Sequence, residues 1–181
     1  MNEHLFWFFF QASHQHAALD FAVKFFASYL PYLFLAGLVY LGKIGYRDWR
    51  ARWNFFVTLV LSAVIARGVL VEIIRFFYPH PRPFVALGID PLFISSGNSF
   101  PSGHAATFFA FAAVVIMLAP RWGWWLFFFA LLNGMGRVAA GVHWPADILG
   151  GIGVGIASGL LAVLATKARP LFEEKETPSS A

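Results

Sequence analysis

Long apolar runs separated by short polar clusters fill the chain from residue 20 to residue 166. Five of these runs, Asp20–Leu41, Asn54–Phe76, His104–Ala119, Trp124–Ala140 and Ala146–Thr166, are close to the roughly 20 residues a helix needs to cross a bilayer. The two that begin at His104 and Trp124 are a little short and can borrow a turn from their flanks. The pattern predicts an all-α polytopic membrane helix bundle with about five transmembrane helices. Residues 1–18 mix Leu-Phe-Trp-Phe-Phe-Phe with Gln11, His14, Gln15 and His16, which predicts an N-terminal interfacial helix rather than a further span. Gly150, Gly151, Gly153, Gly155 and Gly159 crowd the last span and read as a face for close helix–helix approach. The short connections leave no room for a soluble domain. Residues 1–167 are expected to form a single transmembrane domain, and residues 168–181 a polar, disordered C-terminal tail.

Composition strengthens the membrane reading. The 181-residue chain is 59% hydrophobic and 12% charged, about half the charge of soluble domains. No cysteine is present, which removes disulfides and thiolate metal sites. The first ten residues carry Glu3 where a signal peptide carries positive charge, so they do not read as a cleaved leader. Net charge is +4, read here as topology bias and phosphate affinity and not as nucleic-acid binding. With five spans, Lys43, Arg47, Arg50, Arg52, Arg121, Lys167, Arg169 and Lys175 share one face. The positive-inside rule assigns that face to the cytoplasm, and the N-terminus and the opposite face to the outside.

Three polar clusters fall on that outer face. They are Arg75-Phe-Phe-Tyr-Pro-His-Pro-Arg82-Pro83, then Pro101-Ser102-Gly103-His104, then Arg137 with His143 six positions on and Asp147 four beyond that. Antiparallel helices would bring all three to one end of the bundle. Arginine presents a planar fork of donors that matches phosphate oxygens, and Arg75, Arg82 and Arg137 together can neutralise a phosphate. Pro101-Ser102-Gly103 marks a helix N-terminus, where free N–H groups and the helix dipole favour an anion. Asp147 sits within reach of the His143 ring, so a carboxylate can fix the tautomer and leave the other nitrogen free to attack. His104 has no acid nearby in sequence and suits a general acid.

These clusters resemble the three signature motifs of the type-2 phosphatidic acid phosphatase family, which includes vanadium haloperoxidases and glucose-6-phosphatase. The resemblance covers residues 75–147 in motif and 19–166 in layout. It implies that His143 is the phosphorylated nucleophile, that Asp147 orients it, and that His104 is the proton donor. It places phosphate binding on Arg75, Arg82, Ser102, Gly103 and Arg137, and implies no metal and no cofactor. Two positions depart from the family pattern. Arg75 replaces the usual Lys, keeping the charge, and Gly136 replaces the usual Ser, removing one hydroxyl contact.

Within the family, Ala27-Ser-Tyr-Leu-Pro-Tyr-Leu-Phe34, Pro81-Arg-Pro-Phe84 and Gly141-Val-His-Trp-Pro-Ala-Asp147 are similar to bacterial undecaprenyl-pyrophosphate phosphatases of the bacitracin-resistance type. That implies a lipid pyrophosphate substrate, membrane lipids as partners, and a place in the bacterial cytoplasmic membrane with the site outside. A phosphatidylglycerol phosphate, phosphatidate or lipid A phosphatase, or a phosphotransferase, would use the same residues. A silent lipid-binding scaffold would be expected to lack the His–Asp pair, and a small transporter to show paired repeats with broken helices. Glu72, Pro83 and Asn133 are candidate supporting residues. Arg67 and Glu72 are charges inside a span, where function is always a question. His4, His14, His16 and His80 match no motif, and Asp90 and Asn98 lie in the outer loop.

Overall fold

The computed structural model describes residues 2–11, 13 and 15–172, and every regular element among them is helical. His14 and residues 173–181 lie outside the described residues. The elements are α1 (Asn2–Phe10), α2 (Ala17–Gly45), α3 (Trp49–Phe77), α4 (Pro83–Leu87), α5 (Gly103–Leu118), α6 (Pro120–Ala139) and α7 (Pro145–Thr166). Helices α2, α3 and α7 are long and apolar enough to cross a membrane. Helix α5 is apolar but shorter, 16 residues, about 24 Å at 1.5 Å per residue. The protein is an integral membrane protein.

Helix ends extend past the apolar runs because capping, not hydrophobicity, sets them. Helix α3 begins at Trp49, ahead of the expected Asn54, because the Asp48 carboxylate accepts from Ala51 N at 2.9 Å and satisfies a free first-turn donor. Helix α6 begins at Pro120, ahead of Trp124. Proline suits a first turn, where its missing N–H costs nothing.

Helix α5 is apolar all round and is the core of the bundle, with Phe109, Ala110, Ala112, Val114 and Val115 fully buried. Its close partner is α7. A Cβ on Gly155 would lie 2.6 Å from Ala106 O, and one on Gly159 would lie 2.7 Å from Ala110 O. At Gly151 it would meet Ala105 Cβ at 2.6 Å. Gly151, Gly155 and Gly159 therefore form one face, four residues apart, on which the α5 backbone rests. Gly153 faces open space and takes no part.

Two helices are locally widened into π-helical turns, at Phe25–Tyr29 in α2 and Val64–Leu70 in α3. Such turns interrupt the regular i→i−4 ladder. In α2 the carbonyls of Phe26 and Ala27 accept from Asn133 Nδ2 at 2.8 and 3.1 Å. The polar residue inside α6 thus binds α2 to α6.

Both ends of the described residues dock. Phe6 of α1 is fully buried and packs on Trp144, ring centroids 5.2 Å apart, so α1 closes the bundle end where α6 passes to α7. At the opposite end, Leu171 is buried against Gly45, and its N–H donates to Leu118 O at 2.8 Å. Tyr46 donates to Arg169 O at 2.5 Å. Residues 168–172, assigned from composition to the tail, turn back onto the bundle.

Candidate active site

The three motif clusters converge at one end of the bundle. The first closes α3 and opens α4, the second opens α5, and the third joins α6 to α7. Gly141 makes that last junction possible. Its φ of 80° is left-handed, a region that glycine enters without a Cβ penalty, and it reverses the chain between Arg137 and His143.

His143 and Asp147 are both 1% exposed. Pro145 starts α7, so Asp147 falls in its first turn, where the helix dipole favours a carboxylate. Asp147 Oδ2 accepts three hydrogen bonds: from Ser99 Oγ at 2.5 Å, from Trp144 N at 2.8 Å and from His143 Nδ1 at 3.1 Å. On the other side of the ring, Arg82 Nη1 lies 3.2 Å from His143 Nε2. A guanidinium can only donate, so Nε2 accepts. The proton of neutral His143 therefore sits on Nδ1 and faces Asp147, and the lone pair sits on Nε2. Burial pushes the imidazole down to about 4 from 6.5, against the Asp147 hydrogen bond, which raises it, and with Arg137 and Arg82 lowering it further. At neutral pH the ring is uncharged, with its lone pair on Nε2.

Arg82 is 4% exposed and spends all five of its donors. Nε donates to Gly97 O, Nη1 to Val142 O and His143, and Nη2 to Ser96 O and Asn98 O. It clamps the loop 96–98 to the loop that carries His143. An incoming phosphate oxygen would have to replace one of these contacts, and the Nη1 contact to Nε2 is the one beside the His143 lone pair. Desolvation pulls Arg82 down to about 10, so it stays charged. Pro83, fully buried, is the first residue of α4 and fixes the exit of this arginine.

Arg137 is 4% exposed. Its Nη1 donates to Ala27 O at 3.4 Å, its guanidinium lies 5.7 Å from the Phe93 ring centroid, and its buried Nε has no partner. A buried cationic N–H without an acceptor is costly, and a bound anion would satisfy it. Arg75 shows the same feature: Nη2 donates to Pro101 O at 3.1 Å, while Nε is buried without a partner. Ser102 is fully buried and caps α5, its Oγ accepting from Ala105 N; the hydroxyl can still donate. Its N–H donates to Asp147 O at 3.0 Å and ties the second motif to the third. Gly103 is the first residue of α5.

His104 follows it and is exposed, its ring 6.3 Å from that of Phe108. Arg137, His143, Arg67 and Arg82 all lie within electrostatic reach of it. The structure therefore gathers His143, Asp147, Arg82, Arg137, Arg75, Ser102, Gly103 and His104 around one point. Glu72 lies 3.7 Å from Arg75. Asn133 acts at a distance, sharing Ala27 O with Arg137.

Gly136 has a physical reason in this fold. A Cβ there would lie 3.0 Å from Ala27 N and 3.2 Å from Phe26 Cβ. The widened turn of α2 comes so close that it leaves little room for the serine of the family pattern. Ser99, the shortest contact to Asp147, was not legible beforehand. It lies 48 residues from the carboxylate, and nothing in its local sequence marks it.

What the fold and the site define is a helical membrane protein with a buried histidine–carboxylate pair among arginines suited to phosphate. Residues 56–170 match the model of the PAP2 superfamily, and the chain belongs to that family. It is 37% identical over 98 residues to undecaprenyl-diphosphatase BcrC of Bacillus subtilis, covering 54% of this chain and 51% of that one. It is 32% identical over 120 residues to lipid A 1-phosphatase of Rhizobium johnstonii, covering 66% and 49%. The chain thus spans about half the length of these curated relatives. The crystal structure of Aquifex aeolicus LpxE superposes with a TM-score of 0.71 at 29% identity, covering 90% of this chain and 94% of that one.

Proposed function

We propose that the protein is a membrane lipid phosphatase that hydrolyses undecaprenyl diphosphate to undecaprenyl phosphate through a phospho-histidine intermediate. The observation that carries the chemistry is the orientation of His143, with Nδ1–H on Asp147 and the Nε2 lone pair beside Arg82. Nε2 attacks the terminal phosphorus, an N–P bond forms, and the P–O bond to the bridging oxygen breaks. Arg75, Arg82, Arg137, the Ser102 hydroxyl and the α5 N-terminus take up charge on the equatorial oxygens. His104 gives its proton to the leaving oxygen. Water then attacks the phospho-histidine with His104 as base, and inorganic phosphate leaves. No metal ion enters these steps.

The substrate assignment rests on the relatives named for undecaprenyl diphosphate together with the sequence likeness around His143. The basic residues at the α2–α3 connection and beyond α7 support placing that end in the cytoplasm. The active site then lies on the outer face, where a carrier lipid would be recycled. Lipid A is the second reading, supported by the relatives named lipid A 1-phosphatase.

The test is phosphate release by detergent-purified protein in EDTA, from undecaprenyl diphosphate, lipid A, phosphatidylglycerol phosphate and phosphatidate. Release from undecaprenyl diphosphate that His143→Ala abolishes is the expected result. Release from the other lipids alone would replace the substrate but keep the mechanism. Release that His143→Ala leaves intact would refute the mechanism.

A further inference from the structure

Arg67 belongs to none of the three motifs, yet it lies against the second. It sits in the π-helical turn of α3, and a Cβ on Gly103 would meet its Nε at 2.5 Å and its Cζ at 3.2 Å. The guanidinium therefore lies directly on the backbone at the start of α5, one residue from His104. Arg75, Arg82 and His104 all feel its charge. Arg67 precedes Arg75 by eight positions, about 12 Å deeper along α3. Arg75 reaches Pro101 and Arg67 reaches Gly103, so the two arginines flank the second motif from its outer and its membrane side.

On the membrane side a groove of about 700 Å³ begins at Arg67. Its walls are apolar and include Leu38, Leu59, Val60, Val64 and Phe111, with Thr107 the polar exception. Arg67 is thus the boundary between a cluster built for phosphate and a channel suited to hydrocarbon. A half-exposed arginine at this depth is costly unless it has a partner. Its partner is Glu72, which pairs with Arg67 and also lies 3.7 Å from Arg75. Glu72 is itself half exposed, and its carboxylate occupies a seat between two guanidinium groups that a phosphate oxygen would also fit.

We infer that Arg67 binds the leaving, lipid-proximal phosphate of a lipid diphosphate, with the first units of its hydrocarbon chain entering the groove below, and that Glu72 holds this arginine in place until substrate displaces it. The inference rests on the proposed function above and adds to it the residue that distinguishes a diphosphate from a monophosphate. When His143 takes the terminal phosphoryl group, the bridging oxygen stays with the proximal phosphate. Negative charge builds on that oxygen as the P–O bond stretches, until the His104 proton neutralises it, and Arg67 is placed to stabilise the build-up. A lipid monophosphate has only the terminal group and reaches the three motif arginines without needing Arg67.

The experiment is calorimetric binding, in detergent, of two non-hydrolysable ligands: a farnesyl bisphosphonate and the matching farnesyl monophosphonate. Losing a charge-assisted contact should weaken the bisphosphonate about tenfold or more in Arg67→Gln. The monophosphonate should stay within about twofold. Arg67→Lys keeps the charge and should recover part of the loss. Equal weakening of both ligands in Arg67→Gln, or no change in either, would overturn the assignment. So would a wild-type protein that binds the bisphosphonate no better than the monophosphonate. Hydrolysis of lipid phosphates by the wild-type protein alongside any of those results would refute the role of Arg67 alone. Absence of any lipid phosphate hydrolysis would refute the underlying function.

Discussion

Replacing Asp147 by Asn changes the charge on His143 chemistry while nearly preserving shape. In the proposed mechanism, attack by Nε2 leaves a positively charged phospho-imidazole, because the Nδ1 proton is still in place. The Asp147 carboxylate is 3.1 Å from Nδ1. At an effective dielectric constant of about 20, a unit charge pair at that distance is worth about 5 kcal/mol. At 1.36 kcal/mol per tenfold, its removal should slow phosphoryl transfer by about a thousand- to ten-thousandfold. A second effect acts in the same direction. Ser99 and Trp144 N donate to the same oxygen, so the amide either loses a charged acceptor or turns its NH₂ toward these donors, and the ring is held less firmly. The assay is kcat for phosphate release, with acid-quenched radiolabelled phosphoenzyme measured in parallel and size-exclusion behaviour as the folding control. A well-folded Asp147→Asn protein with kcat within about tenfold of wild type would refute the assignment of the carboxylate to the developing charge.

Packing gives one further prediction, and titration two more. Gly155→Ala should destabilise the protein by about 1–3 kcal/mol, because its Cβ meets backbone atoms of α5 at 2.6 and 2.8 Å. Gly153→Ala, which meets nothing within 4 Å, should be neutral or stabilising in the same thermal unfolding assay, and equal behaviour of the two would contradict the α5–α7 contact. Since burial holds His143 down to about 4, kcat/KM should show no loss attributable to the nucleophile on acidification until pH approaches 4, and a nucleophile titrating near 6.5 would contradict the buried geometry. The same downward shift gives the stability a sign: the unfolded chain takes up the histidine proton first, so stability falls as pH drops from 6.5 to about 4.

Much of the site could be read from the sequence because its chemistry is carried by local spacing. The four-residue step from His143 to Asp147 places them on one helical turn whatever the rest of the chain does. Arg75, Arg82 and Arg137 stand out because charge is scarce in a membrane chain. The apolar runs likewise show where helices cross, since lipid contact demands long apolar segments.

Other features depend on which helix lies beside which, and no local pattern encodes that. Ser99 meets Asp147 only because α5 is pressed onto α7 by Gly151, Gly155 and Gly159. Arg82 reads as a phosphate ligand, but four of its five donors are spent on carbonyls, and the fifth on His143, that only the folded loop brings together. Gly136 looks like a lost hydroxyl until the widened turn of α2 is seen against it. Phe6 and Leu171, in segments read as interfacial and polar, are buried because each finds an apolar seat at a bundle end. The sequence by itself determined the residue types, their spacing along each helix and the solvent each segment needs. The tertiary structure alone decided the partners, because hydrogen bonds and close packing act over a few ångströms between positions that the chain separates by up to a hundred residues or more.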